Sequence, residues 1–386
     1  MELKSKLPAT GTTIFTRMSQ LAQQHGALNL SQGFPDFPVE PRLLAALQQQ
    51  VLAGRNQYAP MPGVMELRQQ ISGLIQRTYG VQVCAETEIT ITSGATEALF
   101  VAIQAVVRTG DEVIVFDPAY DSYQPAVELA GGKTVHIQLC APDYRVDWAA
   151  VERRISDRTR LIIVNSPHNP TGMVFTELDW QALADLVQRH GLFCISDEVY
   201  EHMVFDGRVP QSACQYPALA ERSFIVSSFG KTFHVTGWKL GYCSAPKLLS
   251  AEFRKIHQYV TFSSFTPAQY AIAEVLGTAP ELVAGLAAFY QQKRDSFRQL
   301  LSGSALQLLP CQGTYFQLVD YSAVSTLPDL EFCDWLTTEV GVAAIPLSVF
   351  SRQEQDSRII RFCFAKQPDT LAQAAARLQT LNRAVG

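Results

Sequence analysis

Basic runs, long apolar stretches and paired cysteines are all missing from this chain of 386 residues, and each absence removes a class of function. The net charge is -5 and no cluster of lysine or arginine occurs, so no field exists to attract a nucleic-acid backbone. No stretch approaches the ~20 apolar residues that span a bilayer, and Met1 to Thr10 lack the apolar core of a signal peptide. The eight cysteines, at 84, 140, 194, 214, 243, 311, 333 and 363, form no Cys-x-x-Cys pair. Zinc and thioredoxin-like sites therefore lack their ligands. Several cysteines sit in apolar runs such as Phe193-Cys194-Ile195, where a thiol acts as a small core group. Free buried thiols fit a reducing compartment. The expectation is a cytoplasmic protein with a small-molecule partner, no nucleic acid, no membrane and no metal.

Familiar catalytic motifs are absent as well. Gly230-Lys231-Thr232 ends like a P-loop, but the first glycine of that motif would fall on Ile225. No Gly-x-Gly-x-x-Gly, His-Glu-x-x-His or Gly-x-Ser-x-Gly occurs, which leaves dinucleotide, zinc-hydrolase and triad chemistry without support.

What is present is a globular composition, 47% hydrophobic and 17% charged, long enough for two or more domains at roughly 150 residues each. Short apolar runs, most of them containing Ile or Val, recur at Glu88–Thr92, Val113–Phe116, Leu161–Val164, Leu192–Ser196, Phe224–Ser227 and Leu240–Ser244. Runs of this length and composition predict strands buried on both faces. Helical patterns lie between several of them. Ala95–Val107 is one, and Glu177–Arg189, with Leu178, Leu183, Leu186 and Val187 on one side, is another. The fold class implied is α/β, a large domain whose central, mainly parallel sheet is flanked by helices. After about residue 246 the pattern changes. A long helix is expected over Pro280–Leu301, then a strand (Thr314–Tyr321), a helix (Leu330–Val340), two strands (Val342–Ile345 and Ile359–Ala365) and a helix (Asp369–Arg383). These suggest a smaller α+β domain over 281–386, completed by the N-terminal segment 1–40, with the large domain at 41–280.

The segment richest in chemistry runs Ser227-Ser228-Phe229-Gly230-Lys231-Thr232-Phe233-His234-Val235-Thr236-Gly237-Trp238-Lys239-Leu240-Gly241-Tyr242. One lysine follows a buried strand, with a hydroxyl three residues before it and a second lysine eight after; the plain alternative is a solvated loop. Four other segments lie where strands run out: Ser93-Gly94-Ala95-Thr96-Glu97-Ala98, Asp117-Pro118-Ala119-Tyr120, Asn165-Ser166-Pro167-His168-Asn169-Pro170-Thr171-Gly172 and Ile195-Ser196-Asp197-Glu198-Val199-Tyr200. Open α/β sheets bind ligands at that edge. A glycine at a helix start lets amides approach an anion, though Ser93–Ala98 could equally be a simple cap. Asp197 could cap a helix, Tyr120 could be core, and the prolines beside Asn169 could only stiffen a turn. Arg361 interrupts the apolar strand Ile359-Ile360-Arg361-Phe362-Cys363-Phe364, a costly charge unless it meets a carboxylate, fixed or bound.

Taken in order, from about Gly33 to Arg361, these segments resemble the class I/II aminotransferases of pyridoxal-phosphate fold type I, most of all the methionine and kynurenine–glutamine branch. The resemblance implies pyridoxal 5'-phosphate as cofactor and Lys231 as the residue that holds it covalently and then acts as general base. Ser228 and Lys239 would bind the phosphate together with Gly94 and the amides of Ala95 and Thr96. Tyr120 would stack on the ring, Asp197 would pair with the ring nitrogen, and Asn169 and Tyr200 would serve the phenolic oxygen. Arg361 would clamp the substrate carboxylate, with Gly33 and Asn169 beside it. Tyr58, in Tyr58-Ala59-Pro60-Met61-Pro62-Gly63, would reach the neighbouring subunit's phosphate, which implies a homodimer with shared sites. Ser166, where relatives vary, carries no meaning.

Aromatic residues gather at these positions: Phe15, Phe34, Tyr58, Tyr120 and, from the partner by resemblance, Phe265. Such a pocket suits unbranched apolar, sulfur-containing or aromatic amino acids over aspartate. Methionine comes first, since a flexible thioether packs well on aromatic edges. Phenylalanine, histidine, glutamine and kynurenine stay open as alternatives. A carbon–sulfur β-lyase shares the fold and every cofactor contact. A cofactor-binding regulator fused to a DNA-binding module is disfavoured by the acidic balance and by a fold that starts near Met1.

Overall fold

A computed structural model describes residues 4–8, 10–352 and 357–381. A short strand, β1 (Leu28–Asn29), precedes seven that form one sheet: β2 (Ile89–Thr92), β3 (Glu112–Asp117), β4 (Lys133–Gln138), β5 (Thr159–Asn165), β6 (Phe193–Asp197), β7 (Ser223–Ser228) and β8 (Gly241–Ser244). Their order is β2-β8-β7-β6-β5-β3-β4. All neighbours run parallel except β8, which is antiparallel to both β2 and β7.

The alternation along these strands explains the sheet's burial. Ile114, Phe116, Ile162 and Val164 join one apolar core, whereas Val113, Val115, Leu161 and Ile163 join another that includes Ala98, Val101 and Ala102 of the helix Gly94–Val106. Both faces are covered, as the uninterrupted apolar runs require. The helix Glu177–His190 begins at a reciprocal Thr176–Asp179 cap and stops at Gly191, whose φ of 63° suits glycine. Its buried face is Trp180, Leu183, Leu186 and Val187. Leu178, expected on that face, lies in the first turn and is exposed.

Five strands follow: β9 (Gln307–Leu308), β10 (Phe316–Asp320), β11 (Val342–Ala343), β12 (Ile345–Pro346) and β13 (Ile359–Cys363). An antiparallel sheet has the order β12-β13-β10-β9, and β1 pairs in parallel with β11, which ties the N-terminal segment to this later part of the chain.

Several expectations need correction. The single helix over Pro280–Leu301 is two, Glu281–Ala284 and Leu286–Leu300, divided at Gly285. Its buried face holds Leu286, Tyr290 and Phe297, while Phe289 and Leu300 are exposed. The expected strand Val342–Ile345 is split at Ala344 between β11 and β12, which belong to different sheets. The helix expected over Leu330–Val340 is α-helical over Asp329–Trp335 and widens into a π-helical turn over Leu336–Val340. The last helix spans Pro368–Leu378, and the expected end at Arg383 lies outside the described residues. β4 was not foreseen. It is an edge strand, and its exposed Lys133 and Gln138 break the apolar signal.

No single helix among the described residues is long and apolar enough to cross a membrane. The eight cysteines are free; Cys194, Cys243, Cys311, Cys333 and Cys363 are buried, and Cys84 and Cys140 are exposed.

Candidate active site

The parallel strands bring their C-terminal ends to one edge. Asn165 closes β5, Asp197 closes β6 and Ser228 closes β7, while β2 runs out into Gly94 and β3 into the Tyr120 turn. Because β8 is antiparallel, it starts at this same edge, directly after Lys239 and Leu240. A cavity of about 240 Å³ opens here. Its walls include Gly33, Gly94, Ala95, Thr96, Tyr120, Asn169, Asp197, Tyr200, Ser228, Lys231, Lys239, Arg361 and Phe15. Residues spread over more than 300 positions thus meet in one place.

At one end is a cradle for an anion. Gly94 opens its helix with φ of 77°, and the amides of Ala95 and Thr96 follow in the first turn, where no intrahelical acceptor is available. A Cβ on Gly94 would stand 3.5 Å from the Lys239 ammonium, so that lysine lies directly against the helix start. The Ser228 side chain lines the same cavity. At the other end, Asp197 is buried and accepts the Tyr123 hydroxyl on Oδ2 at 2.6 Å. Burial pushes its carboxyl up to about 6, against the pull of the Tyr123 hydrogen bond.

Between these ends lies the Lys231 amine. Burial lowers its pKa to about 8; Arg361 and Lys239 push the same way, while Cys363 and Asp197 oppose. Its Nζ donates to the Tyr315 hydroxyl at 2.8 Å and to the Gly33 carbonyl at 3.2 Å. Arg361 is only 1% exposed. Its Nη1 donates to Asn169 Oδ1 at 2.9 Å and its Nη2 to the Ser31 carbonyl at 3.1 Å, while the buried Nε has no partner. Burial lowers its pKa to about 10, which leaves it charged at neutral pH. Three rings surround it, with centroids 3.8 Å (Phe316), 5.2 Å (Phe350) and 5.4 Å (Phe15) from Cζ.

Three aromatics expected near the site stand outside this chain's cavity, Tyr58 and Phe265 being the two expected to serve the neighbouring subunit. Tyr58 is 83% exposed and Phe265 is 52% exposed, outside the cavity of this chain, and Phe34 also stands outside the lining. Other residues were missed. Asn165 donates to the Asp197 carbonyl at 2.7 Å and accepts the Asn169 amide at 2.7 Å, so it locks two strand ends together. Tyr123, Tyr315, Phe316 and Phe350 also escaped notice. No local spacing marks an aromatic that reaches the site through the tertiary fold, although Gly313 before Tyr315 does signal a turn. The Ser166–Pro167 and Asn169–Pro170 bonds are both cis.

The residues fit pyridoxal phosphate part by part. The cradle suits its phosphate, and the depressed amine suits its aldehyde. A protonated ring nitrogen would supply the countercharge that the buried Asp197 carboxylate favours.

Comparison with known proteins agrees. Residues 26–378 match the family model for aminotransferase class I and II. The chain is 56% identical over 378 residues to a methionine aminotransferase of Escherichia coli K12, covering 98% of each chain. It is 39% identical over 389 residues to a probable N-succinyldiaminopimelate aminotransferase of Mycobacterium tuberculosis, again covering 98% of each. A kynurenine–oxoglutarate transaminase of Dictyostelium discoideum is 34% identical over 412 residues, with 97% and 95% covered. Among solved structures, one from Escherichia coli described as having a methionine aminotransferase function superposes with a TM-score of 0.97 at 55% identity, covering 99% of this chain and 100% of the other. The N-succinyldiaminopimelate aminotransferase from Mycobacterium tuberculosis gives 0.95 at 38% identity, with 99% and 100% covered. Fold, cavity chemistry and relatives converge, and the chain belongs to the pyridoxal-phosphate-dependent aminotransferases of class I and II.

Proposed function

We propose that this aminotransferase takes its amino group from an apolar, sulfur-containing or aromatic L-amino acid, methionine foremost, and passes it to a 2-oxo acid by a ping-pong route. The observation that carries this reading is the ring of Phe15, Phe316 and Phe350 around the Arg361 guanidinium. A carboxylate drawn to Arg361 brings its side chain against aromatic surface, which favours a thioether or an apolar chain over a second carboxylate. The 56% identity to a methionine aminotransferase supports the same choice. Kynurenine is the second reading, favoured by the same aromatic walls.

Bound pyridoxal phosphate supplies an aldehyde for amines and a ring that accepts an electron pair. The chain supplies the rest. Lys231 would hold the cofactor covalently and, as a free amine, would move the substrate Cα proton with its Nζ. Only a neutral amine can do this, and burial beside Arg361 and Lys239 favours that form. Gly94, Ala95, Thr96, Ser228 and Lys239 would hold the phosphate, and Tyr120 would cover the ring. Asp197 would pair with the ring nitrogen, and Asn169 and Tyr200 would serve the phenolic oxygen. Arg361 orients the substrate carboxylate, with Gly33 beside it.

We also assign residues 41–280 to the cofactor-binding domain and 281–386, with 1–40, to the smaller one. All strands of the seven-stranded sheet fall inside the first range, and β1 pairs with β11 of the second. Tyr58 and Phe265 belong to a site shared across a homodimer; Phe262, edge-on to Tyr58 at 5.4 Å, and the exposed Tyr259 extend the same aromatic patch. A cytoplasmic setting goes with the free buried thiols.

A panel of amino donors, scored by conversion of the bound cofactor, tests the reading. Methionine should exceed aspartate by about tenfold or more in kcat/KM, and the reverse order would overturn the substrate assignment. Release of ammonia and a 2-oxo acid without any acceptor would instead mark β-elimination.

A further inference from the structure

We propose that Tyr315 is a positioning residue for the Lys231 amine, holding it jointly with the Gly33 carbonyl so that its lone pair is left free for the substrate Cα proton. The inference rests on Lys231 being the cofactor lysine and general base.

Tyr315 immediately precedes β10 and is fully buried. Its hydroxyl donates to the Gly33 carbonyl at 2.5 Å, and with that proton engaged the neighbouring Tyr200 hydroxyl can only donate to it. Burial holds the phenol well above its ordinary range, so that proton stays in place wherever the enzyme works. The phenolic oxygen can therefore only accept from Lys231, and Nζ stands 2.8 Å away. The second acceptor, the Gly33 carbonyl, lies 3.2 Å from Nζ. Gly33 packs closely on the Phe316 ring, where an added Cβ would come within 2.9 Å.

The count then decides the geometry. A neutral amine has two N–H bonds and one lone pair. Two acceptors and no donor face it in this pair, so both N–H bonds are used and the lone pair is not. A tyrosine that donated to Nζ would do the opposite and block the base. The charged or titratable groups around Nζ are Arg361, Lys239, Asp197, Cys363 and Tyr200, and the hydrogen bonds Nζ makes are those to Tyr315 and Gly33.

When the Cα–H bond breaks, its proton goes to the Nζ lone pair and the electron pair passes to the cofactor ring. The resulting ammonium has three N–H bonds, two of them pinned by Tyr315 and Gly33. Rotation is hindered, so the proton delivered is the arriving one. Losing one pin frees the rotation and lets the solvent-derived protons compete.

The experiment uses the holoenzyme, Cα-deuterated methionine and a single half-reaction. The readout is the share of deuterium carried into the aminated cofactor, measured by mass spectrometry. Tyr315→Phe should lower that share at least about threefold. It should also cut the rate about three- to tenfold, the worth of one neutral hydrogen bond, and move the acidic limb of the rate profile to lower pH, since an acceptor of the ammonium is gone. Borohydride trapping should still place the cofactor on Lys231. An adduct on Lys231 with the parent's deuterium share and pH limb overturns the role of Tyr315 alone. An adduct on another residue overturns the site assignment and this inference with it. If Tyr315→Phe does not fold, 3-fluorotyrosine at the position keeps the shape and weakens the oxygen as an acceptor. A lowered share then supports the proposal, and an unchanged one overturns it.

Discussion

Arg361 Nη1 donates to Asn169 Oδ1 at 2.9 Å, so a guanidinium inside β13 decides which way the amide beyond β5 turns. With its oxygen engaged, Asn169 presents its NH2 group as a donor. One residue thereby orients both the substrate and a cofactor contact. Arg361→Lys keeps the charge but loses the planar fork. We expect KM for methionine to rise by roughly 10- to 100-fold, the cost of one or two charge-assisted bonds, with a smaller fall in kcat as Asn169 loses its hold. Steady-state kinetics measures both. An unchanged KM would show that the carboxylate binds elsewhere.

Asp197 offers a charge that the ring nitrogen can share, and Asn in its place offers none. Asp197→Asn should lower kcat by about 10²-fold or more, the order lost with one preorganised electrostatic partner. Cofactor still bound to Lys231 in the variant would separate this effect from simple loss of binding. Full activity would remove Asp197 from the mechanism.

Glu198 lies behind the site, buried, with Oε1 accepting from Ser196 and Ala213 and Oε2 unpartnered. Burial, with the Glu201 charge nearby, pushes its carboxyl up to about 8. The folded protein then holds a proton that the unfolded chain releases at about 4.5, so this group makes stability fall as pH rises from about 4.5 to 8. The slope is roughly 1.4 kcal/mol per pH unit where only the folded form is protonated. Glu198→Gln should abolish that dependence and raise the melting temperature more at pH 8 than at pH 5. Equal gains at both values would mean that the carboxyl is ionised throughout.

Tyr58→Ala should weaken cofactor retention by about tenfold, the worth of one good hydrogen bond, if its hydroxyl serves a neighbour's phosphate. Sedimentation should show a dimer for both parent and variant. A fully active monomer would dismiss the shared site.

Much of this was legible beforehand because it depends on short, local patterns. The strands β5, β6 and β7 carry uninterrupted apolar runs, Leu161–Val164, Phe193–Ile195 and Phe224–Val226, and the site residues sit where those runs stop. β4 hid itself because an edge strand half open to water holds Lys133, His136 and Gln138 among its apolar residues. The break at Gly285 was invisible since the apolar spacing continues across it. Tyr315 and Phe350 could not be found from spacing at all. They stand just before β10 and in the Ser348–Phe350 turn, and only tertiary packing brings them to Lys231 and Arg361.

The antiparallel pairing of β7 with β8 sets Ser228 opposite Gly241. A Cβ on Gly241 would stand 2.6 Å from the Ser227 carbonyl, so the two strands cannot slide without collision. Both lysines of the site hang on the single connection between those strands, like two jaws on one hinge of set length. Adding or deleting one residue between Phe229 and Leu240 would therefore change the bite itself. The exposed turn around Gly207 carries no such burden, so natural variation in length should collect there and spare the jaws.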